Sequence, residues 1–405
     1  MSERPIIVMK FGGTSVADER GRAALARRVL AVQELGSAPV VVVSAMGRKG
    51  APYATDTLLA LLDGLPVTPR ESDLLASAGE LISAAVVAAH LRAHGVDAMS
   101  FSGTQAGIYT DDHFGCARVT SIDPSAIVAG IAAGHVPVVA GFQGVAPDGS
   151  ITTLGRGGSD TSACALGVAL EAAAVEIYTD VDGVMSADPR TCDAATVLRE
   201  IGAEELFQMA RHGSKVVHTP AAEFALKSGL DLRVRSTFSD GAGTRVADMR
   251  TYAPAGVATA VSHSKGIARF TATLPGAEGS AEHMRAQTDV YRTMAQADVS
   301  LDMFTPVGDS LVFTVAEDRV SAAADVLRRL GMSFTVRSGL AKVTLVGAGM
   351  HGVPGVMAAM ADYLAQAGVH ILQAADSHTT ISALVPAEET HAAVTALHQG
   401  FGLDT

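Results

Sequence analysis

The sequence predicts an α/β protein built on a mainly parallel sheet, followed by two smaller α+β units. Three observations lead there. Short, unbroken apolar runs, the mark of strands buried on both faces, alternate with helix-spaced stretches through roughly the first 240 residues. Two of the strand-like runs end in glycine-rich turns that lead into small-residue helices. The last third of the chain repeats itself with a period of about 70 residues.

Taken in order, residues 5–9 and 39–43 are the first two buried strands, with helical spacing over 17–35 between them. A strand, a crossover helix and a second strand of this kind make a right-handed β-α-β unit and hence a parallel pair. A long helix is expected over 70–94, introduced by Pro69 and carrying Leu74, Leu75, Ala78, Leu81, Ile82 and Val86 along one side. Strands at 97–101, 136–140 and 175–179 and helices at 124–134, 160–172 and 214–228 continue the alternation. Asp148-Gly149 centres a hairpin over 142–153. The Gly-, Ala- and Pro-rich stretch after 239 gives a linker at 241–262, between a first domain (1–240) and two repeats (263–336 and 337–405).

In the repeat, Ala295–Val299 returns as Ala365–Val369, and Ser321–Leu327 returns as His391–Leu397. Each copy reads strand, helix, strand, strand, helix. Gly347, Gly349 and Gly352 spell a dinucleotide fingerprint, with Asp376 placed as its acidic partner. Too little chain follows for a nucleotide-binding half of the usual size, so an effector-binding turn is the better reading.

The totals exclude several classes. A net charge of −12 over 405 residues gives no basic footprint for nucleic acid or a membrane surface. No unbroken apolar run approaches the ~20 residues of a span, and the N-terminus lacks a secretory layout, so a cytoplasmic protein is expected. Cys116, Cys164 and Cys192 have no CxxC spacing and read as reduced thiols, Cys164 as a core residue. No metal-ligand spacing appears among the 13 histidines, and Asp180-Val-Asp182-Gly183 fails as a calcium loop because Thr191 stands where a glutamate is needed.

The chemistry concentrates in three blocks. In the first, Lys10 stands at a strand tip before Gly12 and Gly13, suited to neutralising phosphate charge. In the second, Gly155-Arg156-Gly157-Gly158-Ser159-Asp160 opens a helix, an anion-binding arrangement with an arginine fork and a carboxylate added. The third runs from Thr179-Asp180 through Met185, Ser186, Asp188, Pro189 and Arg190 after a buried strand.

These blocks, with Val40–Gly47, resemble the aspartate kinase family of the amino-acid-kinase superfamily. The resemblance covers the whole chain. It implies a mainly parallel sheet sandwiched by helices, followed by two βαββαβ ACT regulatory domains. It implies ATP and Mg²⁺ as cofactors and L-aspartate as the phosphoryl acceptor, giving 4-phospho-L-aspartate. By resemblance, Asp160 holds Lys10 in a catalytic pair. Lys10, Phe11, Gly12, Gly13, Ser159, Thr179, Asp180, Met185, Ser186, Asp188, Pro189, Arg190 and Lys215 take the nucleotide. Ser44, Thr55, Glu80, Arg156, Gly157, Gly158 and Ser159 take the amino acid, with Glu80 on its ammonium and Arg156 on its carboxylate. Met185 departs from a tyrosine that many relatives carry.

The ACT pair implies feedback by an end-product amino acid and self-association, as a homodimer or higher homo-oligomer. Regulatory contacts are expected at Asp302, Met350, Pro354, Gly355, Asp376 and Ser377, with diaminopimelate, lysine or threonine as effector. Met249 is a candidate internal start for a separate regulatory subunit. A kinase of another acidic amino acid and a non-enzymatic sensing subunit are the competing readings.

Overall fold

The structure, a computed structural model, describes residues 4–214, 216–247, 256–350 and 352–404. The expected nucleotide residue Lys215 and the candidate start Met249 lie outside the described residues. The chain divides into two compact units. One is Met1–Val184 with Val197–Arg211 and Lys215–Ala253. The other is Met185–Thr196 with His212–Ser214 and Pro254–Thr405.

The first unit begins β1 (Ile6–Phe11), α1 (Gly13–Val16), α2 (Glu19–Glu34), β2 (Ala38–Val43), α3 (Thr55–Leu59) and α4 (Pro69–Ala93). It continues β3 (Ala98–Phe101), β4 (Ile108–Thr110), β5 (Val119–Ile122), α5 (Ser125–Ala132), β6 (Val136–Ala140), β7 (Gln143–Val145) and β8 (Ile151–Thr153). It closes with α6 (Gly158–Ala169), β9 (Ala174–Thr179), β10 (Glu200–Gly202), α7 (Ala203–Arg211), α8 (Thr219–Ser228), β11 (Leu232–Ser236) and β12 (Thr244–Ala247). Among the described residues the main sheet runs β10-β12-β11-β9-β1-β2-β6-β3, and only the β11–β12 pair is antiparallel. All six residues of β2 are buried, as a strand covered on both faces requires. Asp18 caps α2 by accepting from Gly21 N at 2.7 Å, and α2 lays Leu25, Val29 and Val32 on Met9, Val41 and Tyr178.

The parallel registers pair Phe11 with Val43 and with Tyr178, and Val43 with Ala140. The carboxyl ends of β1, β2, β6 and β9 therefore emerge together, where open α/β sheets bind their ligands. A smaller sheet, β5-β4-β7-β8, contains the expected hairpin.

Two expectations change. The helix expected over 214–228 starts only at Thr219, and the amphipathic Ala203–Arg211 forms a separate α7. The expected linker contains β12, which pairs with both β10 and β11, and reaches the start of the next strand. α4 is the one described helix long and apolar enough to cross a membrane, yet half of that apolar window is buried in the protein.

The second unit holds β13 (Ala260–Thr273), α9 (Ala281–Gln296), β14 (Asp302–Val307), β15 (Ser310–Ala316), α10 (Val320–Arg329) and β16 (Phe334–Val346). Then follow α11 (Val356–Gln366), β17 (Gln373–Asp376), β18 (Thr380–Pro386) and α12 (Thr390–Gly400). One antiparallel sheet, β14-β15-β13-β16-β18-β17, serves both repeats. The strands β13 and β16 run through both halves. Each repeat has its own core: Phe270, Val290, Phe313 and Leu327 in the first, Val343, Met360, Leu364 and Leu397 in the second. Ala187 and Cys192, far away in sequence, complete the second core.

The dinucleotide-like glycines serve packing. A Cβ on Gly347 would sit 2.4 Å from the Val257 carbonyl oxygen, and one on Gly349 would sit 2.7 Å from that of Gly256.

Candidate active site

A cavity of about 600 Å³ opens in the first unit. Its lining includes Lys10, Ser44, Thr55, Asp73, Glu80, Arg156, Gly157, Gly158, Ser159, Asp160 and His218. Lys10 Nζ lies 2.6 Å from Asp160 Oδ1, and the aspartate side chain is only 3% exposed. Removing either partner leaves a buried charge unmatched, so the pair holds the lysine in place at the cavity.

Glu80 owes its place to the residue before it. Gly79 lets α4 come so near the loop after β2 that a Cβ there would sit 2.8 Å from Ala45 Cβ. Glu80 Oε1 then accepts from Ala45 N at 3.0 Å, while Oε2 is buried without a hydrogen-bond partner. Burial pushes its carboxyl up to about 7, against the backbone donor of Ala45, which lowers it. A carboxylate oxygen buried without a protein partner at a cavity is suited to a cationic donor.

Arg156 is exposed at the cavity on the turn between β8 and α6. Gly157, at φ 73°, caps α6 and presses on His218, where an added Cβ would come within 2.2 Å of the ring. This combination of a left-handed turn and a close neighbour requires glycine.

The expected nucleotide residues divide. Gly12 and Gly13 line the cavity with Lys10, but the Gly12 N–H donates to the Tyr178 carbonyl at 3.2 Å and so serves the fold. Phe11 is fully buried, stacked on Tyr178 with centroids 4.6 Å apart, which removes its side chain from any ligand. Thr179 Oγ1 donates to Asp180 Oδ1 at 3.2 Å, and Asp180 takes a 2.6 Å ion pair from Arg48. Met185, Ser186, Asp188, Pro189 and Arg190 belong to the second unit. There Ser186 is buried, its hydroxyl 2.8 Å from His398 Nε2 and accepting from Thr196 N at 2.9 Å, so its side chain faces the protein interior. Asp188 and Arg190 pair with each other at 2.7 Å.

The expected regulatory residues are all in the second unit. Asp302 is ion-paired with Lys342, Met350 is buried in the second core, and Gly355 caps α11 with Pro354 before it. Asp376 ends β17, and Ser377 N donates to the Thr380 carbonyl at 2.8 Å. Asp73 and His218 are cavity residues that sequence reasoning missed. A seven-residue step from Glu80 puts Asp73 two turns away on the same helix face, a signal available in the sequence.

Residues 5–236 match the model of the amino acid kinase family, and 335–399 match an ACT domain. Aspartokinase 1 of Bacillus subtilis is 42% identical across 98% of this chain and 99% of its own length. An aspartokinase of Mycolicibacterium smegmatis is 39% identical across 98% of this chain and 96% of its own. Among solved structures, Escherichia coli aspartokinase III in complex with aspartate and ADP superposes with a TM-score of 0.79. It is 26% identical and covers 98% of this chain and 100% of the other. The same enzyme in complex with lysine and aspartate gives 0.78 at 27% identity, covering 98% and 99%. With a kinase domain, an ACT region and relatives of this identity along its whole length, the chain belongs to the aspartokinase family.

Proposed function

We infer that the protein transfers the γ-phosphoryl group of ATP to the side-chain carboxylate of L-aspartate, yielding 4-phospho-L-aspartate and ADP. The observation that carries this reading is the unpaired, buried Glu80 Oε2 in one cavity with Arg156 and the Lys10–Asp160 pair. Glu80 takes the substrate ammonium and Arg156 its α-carboxylate, with Ser44, Thr55 and Ser159 as positioning hydroxyls. The side-chain carboxylate is already ionised and attacks the γ-phosphorus directly as the bond to the β,γ-bridging oxygen breaks. No proton moves, so no general base is needed. Lys10 neutralises charge gathering on the phosphoryl oxygens, and Asp160 keeps it aimed. The related E. coli enzyme with aspartate and ADP supports the same pair of ligands here.

Among the described residues no group of three or more His, Cys, Asp or Glu could hold a metal. Mg²⁺ at such a site would be held chiefly by the nucleotide phosphates, with one or two carboxylates at most from the protein.

At the level of the cell, the reaction fits the first step toward lysine, diaminopimelate, threonine and methionine in the cytoplasm. The ACT pair fits feedback by one of these end products and self-association through that region. The lysine-bound relative supports an amino-acid effector.

Hydroxylamine trapping with MgATP tests the reaction. A hydroxamate with L-aspartate, lost in Arg156→Ala, is the expected outcome. Equal yields from glutamate or from no amino acid would sink the reading.

A further inference from the structure

Asp73 is a buried carboxylate, 3% exposed, with three donors on it. Thr153 N reaches Oδ2 at 2.7 Å, Gly115 N reaches the same oxygen at 2.9 Å, and Thr153 Oγ1 donates to Oδ1 at 2.8 Å. Thr153 is the last residue of β8, two positions before the Gly155-Arg156-Gly157 turn. Gly115 buttresses that turn from the other side, its carbonyl oxygen 3.2 Å from where a Cβ on Gly155 would lie. Farther along the same contact, Arg70 Nε donates to Ser150 Oγ at 2.9 Å and Gln143 Nε2 to the Ser77 carbonyl at 2.9 Å. The amino-terminal half of α4 is thereby stitched to the β7–β8 hairpin, with Asp73 between the other two contacts and lining the cavity.

Resting on the reading that Glu80 and Arg156 hold the two ends of the amino acid, the geometry points to Asp73 as a positioning residue that sets substrate length. One rigid helix carries Glu80 directly and, about 10 Å away along its axis, fixes through Asp73 the turn that carries Arg156. The span between ammonium site and carboxylate site is therefore built into α4. It decides where the side-chain carboxylate of the acceptor falls relative to the γ-phosphorus. A homologue longer by one methylene places its nucleophilic oxygen out of line, and small displacements of this kind lose about 100-fold in rate. Loosening the Asp73 contacts lets the Arg156 turn drift and weakens both aspartate binding and the discrimination against glutamate.

Two substitutions separate positioning from direct action. In Asp73→Asn the amide oxygen keeps both backbone donors, and the amide nitrogen donates to Thr153 Oγ1, which accepts equally well. Asp73→Ala removes all three contacts. The measurement is hydroxamate formation with L-aspartate and L-glutamate across substrate concentration, with ADP binding by equilibrium dialysis alongside. For Asp73→Ala the expected result is a rise of about tenfold or more in the KM for aspartate. With it go a fall of about tenfold in the aspartate-to-glutamate ratio of kcat/KM and unchanged ADP binding. Asp73→Asn recovers both values to within about threefold of the parent.

If Asn is as damaging as Ala, the charge itself acts on a ligand and the positioning role is wrong. An unchanged KM and ratio in Asp73→Ala also overturns it. Should Asp73→Ala fail to bind ADP, Thr153→Val decides: a raised KM with a lowered ratio supports the proposal, and parental values overturn it. A parent enzyme that makes no hydroxamate with aspartate would instead count against the reaction assigned above.

Discussion

Glu80 ties binding to pH. Its carboxyl, raised to about 7 by burial, is protonated in the empty site at pH 6 and ionised at pH 8. On the proposed role of Glu80, aspartate binding requires the ionised form to meet the ammonium, so the KM for aspartate is expected to fall as pH rises from 6 to 8. Stability runs the other way. The native state holds this proton at pH values where an unfolded glutamate has lost it. The ligand-free protein therefore loses stability between about pH 4.5 and about pH 7, by on the order of 3 kcal/mol at most. Thermal unfolding across that range in the parent and in Glu80→Gln checks this: the substitution removes the Glu80 share of the slope and also abolishes activity. Lys10→Met is the complementary test of charge. It leaves Asp160 buried without its cation, and both kcat, by at least about 100-fold, and stability, by about 3 kcal/mol, are expected to fall. Lys10 and Asp160 stood out in the sequence because each lies beside glycines that announce a close approach, whereas their pairing and the role of Glu80, a lone glutamate on a helix, came only from the family resemblance. The inward turn of Phe11 and Ser186 was not legible, since a motif gives proximity along the chain and says nothing about which way a side chain points.

Secondary structure was legible wherever pattern and environment agree. β2 reads as four valines because both faces are covered. α4 declares itself through Pro69 and its length, but of the expected stripe Leu74 is exposed and Leu81, Ile82 and Val86 are only partly buried, while Ser77, Gly79 and Glu80 lie on the buried face. The boundary of α8 and the existence of α7 were missed because Glu204, Glu205 and Arg211 disguise an amphipathic helix as a polar connection. β12 was hidden for a related reason: a four-residue strand between Gly- and Ala-rich stretches carries too little apolar content to stand out. At this scale the tightest constraint is where the β8–α6 turn meets the start of α8. Gly157→Ala forces a left-handed φ on a residue with a Cβ and drives it into the His218 ring, so activity should fall sharply. Pairing it with His218→Ala relieves the clash but leaves the backbone strain, and is expected to recover part of the loss in the hydroxamate assay.

At the scale of the whole molecule, the internal repeat was plain in the sequence, while its shared sheet was not. Nothing in a 70-residue period shows that β13 and β16 run through both halves. Nor does it show that residues 185–196 fold with the regulatory unit, because that association is long-range, reaching from Ser186 to Val261 and to His398, and leaves no local pattern. It does leave a chemical one. Cys164 and Cys192 are buried and Cys116 is exposed, so an aromatic disulfide reagent should titrate one thiol in the native chain. Deleting 256–405 strips the core from around Cys192, and a second thiol should then react. Unaltered protection of Cys192 in the truncated chain would show that the segment folds without the repeats.

The interleaved path of the chain also limits how such proteins can be recombined. A chimera made at one junction after β12 would give the borrowed regulatory half a foreign 185–196 insert, mismatched at Ala187 and Cys192 within the core and at the Ser186–His398 hydrogen bond. Exchange between relatives has to carry two separated pieces of gene together. Inheritance of regulation in this lineage is thus expected to be linked to a short stretch lying inside the kinase coding region.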